Sequence, residues 1–201
     1  MPRTMIRAYG LRALLAAHPE VRSLKRSASP SIHGNKNWPS SWLLIDYLSR
    51  RPLPRRRRVL ELGAGWGLCG IYCARKYGAS VTAVDKDADV FEFLRLHARV
   101  NGVRVRQLRV GFASITPRQL ERTDVLIGTD ICFWDSMVAP LRRVISRALA
   151  SGTRLVLIAD PGRSPFERLA RAFTRDGRGE VIDWTAKRPR SRWGRILRIE
   201  S

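Results

Sequence analysis

The chain has 201 residues, 44% of them hydrophobic, which is enough for one domain whose core needs neither disulfides nor metals. Lysine and arginine number 38 against 17 acidic residues, a formal net charge of +21. No apolar stretch approaches the roughly 18 residues of a membrane span, so a cytoplasmic protein without a membrane partner is expected. Cys69, Cys73 and Cys132 lack metal-ligand spacing, which indicates a reducing compartment and no metal site.

The positive charge is spread along the chain, apart from the cluster "RRPLPRRRR" at 50–58. Such a field attracts an acidic protein, RNA or an anionic lipid surface. A solvated, arginine-biased surface is nevertheless favoured over a nucleic-acid footprint, because the basic residues define no groove. An acidic partner and RNA both stay open.

In chain order, the first predicted element is a helix over about 4–17, followed by a Ser/Pro-rich connection at 27–33. Residues 1–33 are arginine-rich with Glu20 as their one carboxylate, a bias of organelle transit peptides. The segment continues without a cleavage-like break, which favours a part of the domain. "WPSSWLLIDYLSR" at 38–50 predicts a second helix from its helical spacing of apolar residues.

From residue 58 onward, strand-like runs alternate with helical segments of about ten residues. The predicted strands are "RVLEL", "SVTAVD", "VRVRQLRV", "DVLIGTD" and "TRLVLIAD", and the predicted helices cover 67–77, 87–99, 135–149 and 164–175. Two further runs, "EVIDW" and "GRILRIE", are joined by a basic loop without a helix, which predicts an antiparallel pair.

This order predicts a doubly wound, Rossmann-like α/β fold with a mostly parallel seven-stranded sheet and an antiparallel C-terminal strand pair. We expect a single domain over 1–201, with an N-terminal helical cap at 1–50 and the core at 58–201. A monomer is expected.

The stretch "VLELGAGWGLCGI" at 59–71 places three glycines in five positions between a strand and a helix. Glycine permits positive φ and removes the side chain, so such a turn lets a ligand approach the backbone. The spacing is G-x-G-x-G, with Leu68 where a dinucleotide fingerprint requires glycine. Asp85 follows 22 residues after Gly63, at the end of the next strand, where a carboxylate can accept ribose hydroxyls.

Glu61 with Gly63, Gly65 and Gly67 resembles motif I of the class I S-adenosylmethionine-dependent methyltransferases, E/D-x-G-x-G-x-G. Over about 35–175 the chain is similar to the seven-strand branch that includes protein-lysine methyltransferases and small bacterial relatives. The resemblance implies S-adenosyl-L-methionine as cofactor. The cofactor-binding residues that it implies are Glu61, Gly63, Ala64, Gly65, Gly67, Asp85, Lys86, Trp38 and Phe112.

The lysine enzymes carry D-x-x-Y/F after the fourth strand, and Asp130 to Phe133 match it here. The resemblance implies that Asp130 holds the acceptor amine while Phe133 excludes water. Asp130 as a helix N-cap is the alternative. Asp160, in "ADPGR" after the fifth strand, is a secondary catalytic candidate, although Asp-Pro-Gly is also a turn signal.

Several aromatic and histidine positions keep two interpretations. Trp66, inside the glycine turn, either walls the methionine pocket or packs outward. Trp38 either closes the cofactor cleft or anchors the N-terminal helix, and anchoring is slightly favoured. Gly111 and Phe112 stand where the lysine enzymes often carry an acidic residue and tryptophan, so adenine recognition stays undetermined. His33 is either a base or a surface group, and the surface interpretation is favoured.

The leading hypothesis is an N-methyltransferase that acts on a protein lysine. A small-molecule methyltransferase of the same fold is the second hypothesis. The third belongs to another class, a basic nucleic-acid-binding module on a methyltransferase-like fold.

Overall fold

The structure is a computed structural model that describes residues 3–28, 34 and 36–201. Its N-terminal segment is a two-stranded antiparallel hairpin, β1 (Met5–Ala8) and β2 (Leu11–Leu14). Tyr9 and Gly10 form the two-residue turn and both have positive φ, 52° and 77°. This is the geometry of a type I′ hairpin turn. The helix predicted over 4–17 is therefore wrong.

Distant side chains stabilise this hairpin. Asn101 accepts a hydrogen bond from the Arg12 N–H and donates one to the Arg12 carbonyl, both at 2.8 Å. The Leu14 N–H donates to Nε2 of His97 at 3.1 Å. The backbone groups at the outer edge of β2 are therefore hydrogen-bonded to protein side chains and not to water. Local helix propensity in the apolar run "ALLAA" is overridden by these tertiary contacts.

Each helix that the sequence predicts from residue 38 onward is present in the structure, with boundaries shifted by a few residues. The structure adds two helices that were not predicted, α1 and α5. The short α5 begins with a capping box formed by Thr116 and Gln119. In chain order the helices of the described residues are α1 (Pro19–Ser27), α2 (Pro39–Arg50), α3 (Leu68–Tyr77), α4 (Val90–Val100), α5 (Pro117–Glu121), α6 (Val138–Ala150) and α7 (Ser164–Thr174).

The central sheet has seven strands: β3 (Arg58–Leu62), β4 (Ser80–Asp85), β5 (Arg106–Arg109), β6 (Val125–Thr129), β7 (Leu155–Asp160), β8 (Gly179–Ala186) and β9 (Arg192–Glu200). Their order is β5-β4-β3-β6-β7-β9-β8. The first five run parallel, whereas β9 pairs antiparallel with both β7 and β8. The predicted Rossmann-like sheet with its antiparallel C-terminal pair is confirmed.

Hydrophobic clusters cover both faces of the sheet. On β3, Val59 belongs to the cluster that contains α2 and α3, while Leu60 belongs to the cluster with α6 and α7. Successive strand residues point to opposite faces, so helices on both sides are needed to cover a strand whose residues after Arg58 are all buried. Strand order reverses beside β3, between the β4 and β6 sides, and ligands of such sheets bind there at the carboxyl ends.

Candidate active site

The glycine turn after β3 is built from left-handed backbone. Gly63, Gly65 and Gly67 have φ of 58°, 52° and 69°. The Ala64 N–H donates to the Val84 carbonyl at 3.0 Å, which ties the turn to the end of β4. Residues other than glycine rarely adopt this conformation, which explains why glycine stands at all three positions.

The three glycines serve different purposes. A methyl group placed on Gly63 would lie 2.6 Å from Ile131, and one on Gly67 would lie 2.7 Å from Leu94. These two glycines therefore also permit close packing of neighbouring side chains. A methyl group on Gly65 would meet no protein atom within 4 Å. Gly65 keeps its backbone accessible to a ligand, as the sequence predicts.

Asp85 closes the other side of this turn. Its Oδ2 accepts a hydrogen bond from the Gly65 N–H at 3.1 Å, and its Oδ1 accepts one from the Asp87 N–H at 3.0 Å. Burial raises the pKa of Asp85 above its ordinary value, although both N–H donors favour the carboxylate. The two residues singled out on successive strands are thus brought into direct contact.

Glu61 is placed differently from the other motif residues. It is buried under α3, where Oε1 accepts a hydrogen bond from the Gly70 N–H at 3.1 Å. Burial raises the pKa of Glu61 to about 8. Its Oε2 has no hydrogen-bond partner within the part of the chain that the structure describes. In this geometry Glu61 fixes α3 to β3, and it does not line the cavity described next.

A cavity of about 410 Å³ opens at the carboxyl ends of β3, β4 and β6. This volume lies in the usual range of small-molecule sites. One part is bordered by Gly63, Gly65, Asp85, Lys86, Val110 and Phe112, and the other by Trp38, Thr129, Asp130, Ile131, Phe133 and Trp134. A larger groove between α1 and α4, about 780 Å³, is lined by Glu20, Glu92, Arg95 and Arg99 and lies away from the glycine turn. We assign the site to the smaller cavity because the turn and Asp85 border it.

Aromatic side chains form one wall of the cavity. The rings of Trp38 and Phe133 lie 4.8 Å apart, and Trp134 lies 5.8 Å from Phe133. The ammonium of Lys36 lies 3.9 Å from the centre of the Trp38 ring. Trp38 precedes α2 and lines the cavity. It therefore lies at the cleft, whereas the sequence slightly favoured a role in anchoring the N-terminal helix. This wall offers both an apolar surface and a face that attracts a cation.

Asp130 lies beside this wall with its carboxylate already hydrogen-bonded. Its Oδ2 accepts a hydrogen bond from the Ser40 N–H at 2.8 Å, and its Oδ1 accepts one from Nη1 of Arg163 at 2.9 Å. The side chain is fully buried and the backbone has a φ of 53°, a conformation in which aspartate is enriched. Direct contact with an acceptor amine therefore stays a prediction, and in this geometry it would require Arg163 to move.

Sequence reasoning missed Arg163, which contacts Phe133 of the aromatic wall but does not itself line the cavity. Its Nη1 also donates to Oδ2 of Asp160 at 2.7 Å, and its guanidinium carbon lies 4.4 Å from the centre of the Phe133 ring. Asp160 is buried, does not line the cavity, and accepts two further hydrogen bonds from the N–H groups of Gly162 and Arg163. A basic residue three positions after a carboxylate at a strand end was the available signal.

Three other sequence candidates are placed by the structure or lie outside the described residues. Trp66 packs away from the cavity, in a buried cluster: its ring stacks on Phe93 at 5.1 Å, and its Nε1 donates to the Gly34 carbonyl at 3.0 Å. It does not border the cavity. Ala64 holds the turn through its backbone, as described above. His33 lies outside the described residues.

The glycine turn, Asp85 and the D-x-x-F segment all lie around one cavity. A family model described as lysine methyltransferase matches residues 22–168. The chain belongs to the lysine methyltransferase family.

Curated relatives of this family include the protein-lysine N-methyltransferase EFM3 of Chaetomium thermophilum, 29% identical over 174 residues, and the protein N-lysine methyltransferase METTL21A of Danio rerio, 31% identical over 144 residues. The alignments cover 79% and 68% of this chain. The chain spans only 51% of the first relative's length and 64% of the second's.

Solved structures show the same fold. The METTL16 methyltransferase domain gives a TM-score of 0.61 at 14% identity, covering 98% of this chain and 86% of that one. TrmN from Thermus thermophilus gives 0.60 at 18% identity, covering 79% and 48%. The tRNA (uracil-54, C5)-methyltransferase of Pyrococcus abyssi, solved with S-adenosyl-L-homocysteine, gives 0.59 at 13% identity, covering 100% and 44%. At these identities the likeness concerns the class I methyltransferase fold alone.

The residues present fit an S-adenosylmethionine-type cofactor. Gly65 leaves its backbone open to the cavity, and the Asp85 carboxylate lies beside it. A side chain at position 65 would fill the space that a ligand needs, which is the reason to expect a cradle there. Within the described residues, no helix is long and apolar enough to cross a membrane.

Proposed function

We propose that this chain transfers a methyl group from S-adenosylmethionine to the side-chain amine of a protein lysine. The observation that carries the proposal is the joint cavity of the Gly65 and Asp85 cradle and the aromatic wall of Trp38 and Phe133. The first part suits a nucleoside, and the second suits an alkyl amine. The position of Lys36 over Trp38 supports this, because it places a lysine ammonium on that wall.

The cofactor side rests on the turn after β3. Asp85 accepts hydrogen bonds from the ribose hydroxyls of the cofactor, and the Gly65 backbone borders the methionine part of the cofactor. Lys86 and Phe112 border the same part of the cavity and complete the adenosine site. Gly63, Ala64 and Gly67 shape the turn, while Glu61 fixes the following helix to the sheet. When bound, the cofactor supplies an electrophilic methyl group on a sulfonium leaving group.

The acceptor side has to deliver a neutral amine in line with that methyl group. Phe133 and Trp38 exclude water from the amine, since both rings border the cavity. The Arg163 guanidinium also lies against Phe133, but its charge is balanced by the carboxylates of Asp130 and Asp160. Burial of the amine among the aromatic rings lowers the pKa of a lysine. The acceptor therefore loses its proton to solvent before transfer, without a dedicated protein base.

Asp130 and Asp160 act in this proposal as positioning residues. They hold Arg163 from two sides, and Asp130 also holds the first turn of α2, directly after Trp38. Phe133 is the residue of the sequence-predicted catalytic set that contacts the acceptor. Proper alignment of acceptor and donor is where such an enzyme gains most of its rate.

A small-molecule acceptor is the second candidate. It is favoured by a 61-residue match, 41% identical, to the ubiquinone biosynthesis O-methyltransferase of Xanthomonas axonopodis. That match covers 30% of this chain, against 79% for the first lysine-specific relative. The longer alignment supports a protein acceptor. We also propose that the chain acts in the cytoplasm as a monomer.

The test is incubation of the purified chain with methyl-labelled S-adenosylmethionine and a cell extract, followed by protease or nuclease treatment. Label that protease releases, and that is recovered as methyl-lysine on hydrolysis, is the expected result. Label in the small-molecule fraction would favour the second candidate. Label that nuclease releases would overturn both.

A further inference from the structure

The loop between β8 and β9 lies at the edge of the sheet that carries the cavity. Ala186 ends β8 opposite Arg192, and Asp160 at the end of β7 pairs with Arg195. Because β9 runs antiparallel to β7, its first residues lie at the carboxyl ends of the parallel strands. A methyl group placed on Gly162, next to Arg163, would lie 3.6 Å from the Trp193 ring. Trp193, at the start of β9, therefore lies beside the Arg163 loop, and the β8–β9 loop lies at the same edge of the sheet as the cavity.

We call residues 187–192, "KRPRSR", the basic rim loop. Its four cations are Lys187, Arg188, Arg190 and Arg192, and all four are exposed. No carboxylate occurs from Trp184 to Gly194. Across the described ranges, 3–28, 34 and 36–201, none of these four side chains forms an ion pair.

The cations further along β9 behave differently. Arg195 pairs with Glu167 at 2.6 Å and with Asp183 at 3.1 Å. Arg198 pairs with Glu180 at 2.8 Å and also with Glu200. Within the described residues, positive charge on this hairpin is thus paired along β9 and unpaired in the loop.

The backbone of the basic rim loop is fixed at its start. The Lys187 N–H donates to Oδ2 of the buried Asp46 on α2 at 3.0 Å. The Arg188 N–H donates to the Tyr9 hydroxyl of the N-terminal hairpin turn at 3.1 Å. A charged surface with an anchored backbone loses less conformational entropy when a partner binds.

We propose that the basic rim loop binds an acidic segment of the methyl-acceptor protein, close in space to the lysine that enters the cavity. This inference rests on the proposed function and names the chemistry of its substrate. Trp134 and Trp193, each 53% exposed, flank the Arg163 side of the cavity and provide apolar contact beside the cations. Exposed aromatic residues next to arginine are typical of protein interfaces.

A carboxylate-rich polypeptide fits this loop better than RNA does. Proteins that bind single-stranded RNA stack successive bases on aromatic side chains between the cations. The basic rim loop has no aromatic residue between Lys187 and Arg192. Carboxylates require only the positive charge, and complementary charge mainly accelerates and orients the encounter.

The decisive experiment measures the affinity of a fluorescent oligoglutamate peptide for three forms of the full chain. The rim variant carries Arg188→Gln, Arg190→Gln and Arg192→Gln. The matched control carries Arg55→Gln, Arg56→Gln and Arg57→Gln, which remove the same charge just before β3, at the opposite end of the sheet. Thermal unfolding monitors the fold of each variant.

The rim variant is expected to bind the peptide at least about tenfold more weakly, and the control within about twofold of the parent. Equal losses in both variants would overturn the proposal, because total charge and not the loop would then determine binding. An unchanged affinity in the rim variant would overturn it as well.

Oligouridylate serves as the second probe. We expect both variants to weaken its binding similarly, as for non-specific attraction to a polyanion. If only the rim variant and Trp193→Ala lost oligouridylate, RNA would be the partner and the proposal would fail. The peptide should also inhibit methylation of the labelled extract proteins without changing cofactor affinity. The peptide-binding measurements do not depend on methyl transfer. Failure of the proposed function can therefore be distinguished from failure of this inference.

Discussion

Arg163 and the buried Asp130 form a partly buried ion pair, 2.9 Å between Nη1 and Oδ1, that joins the loop after β7 to the end of β6. The other oxygen of Asp130 holds the Ser40 N–H at the start of α2. Trp38 precedes that helix, and Phe133 lies against Arg163. One carboxylate therefore sets the positions of both rings of the aromatic wall. Acceptor alignment should therefore depend on Asp130.

Asp130→Asn should separate transfer from cofactor binding. The amide keeps the volume but loses the charge that holds Arg163, so the aromatic wall shifts. We expect methyl transfer to fall roughly 10²-fold, while cofactor affinity stays within about threefold. Single-turnover transfer and calorimetry measure the two quantities.

Asp124→Asn is the matched control for that substitution. Asp124 precedes β6 at its other end and pairs with Arg58 at 2.6 Å. Loss of that pair should cost roughly 1 kcal/mol, since Asp124 also accepts from the Arg58 N–H, and should leave transfer unchanged. Similar loss of transfer in both variants would make the effect of Asp130 one of general stability, and equal loss of cofactor binding would place Asp130 on the cofactor side.

Asp85→Ala should weaken S-adenosylmethionine binding by about 1–3 kcal/mol, the cost of removing hydrogen bonds to a charged acceptor. Asp85→Asn can still accept from the Gly65 N–H but lacks the charge, and should lose less. Calorimetry on both variants tests this order. Unchanged affinity in the alanine variant would mean that another group holds the ribose.

Gly65→Ala should greatly reduce cofactor binding, because the added methyl group enters space that is free of protein atoms and open to the cavity. Gly78 offers a matched control. It has a similar positive φ of 64° and equally open surroundings, at the end of α3 away from the cavity. Both substitutions should destabilise the fold by about 1 kcal/mol through backbone strain. Only Gly65→Ala should affect binding, and equal binding losses would contradict the cradle.

Glu61→Gln should change how stability depends on pH. The pKa of Glu61 is raised to about 8 in the folded chain, from an ordinary value near 4.5, because the carboxyl is buried. Between these values the folded state keeps a proton that the unfolded state has lost, so stability falls as pH rises. The expected decline between about pH 5 and about pH 8.5 is on the order of 3 kcal/mol.

The glutamine variant cannot ionise, so this part of the decline should be absent from it. Its Oε1 can still accept from the Gly70 N–H. Urea unfolding of both proteins at the two pH values measures the difference. Parallel pH dependence in the two proteins would show that Glu61 ionises normally in the folded chain.

The sequence by itself determined the seven-stranded sheet and the meeting of the glycine turn with Asp85. Alternating apolar runs specify buried strands through local periodicity, which a single sequence displays directly. Gly65 and Asp85 could be paired in advance because the carboxyl ends of adjacent parallel strands always lie together. Spacing along the chain was sufficient for this part of the site.

Only the tertiary structure decided the N-terminal hairpin, the packing of Trp66 away from the cavity and the contacts of Asp130 and Arg163. The hairpin depends on Asn101, 89 residues from Arg12, and Asp130 meets Ser40 across 90 residues. Arg163 acquires its role only when β6 and β7 pair and bring two carboxylates around it. Hydrogen bonds and ion pairs between distant segments outweigh local propensities of a few tenths of a kcal/mol, and no local pattern encodes them.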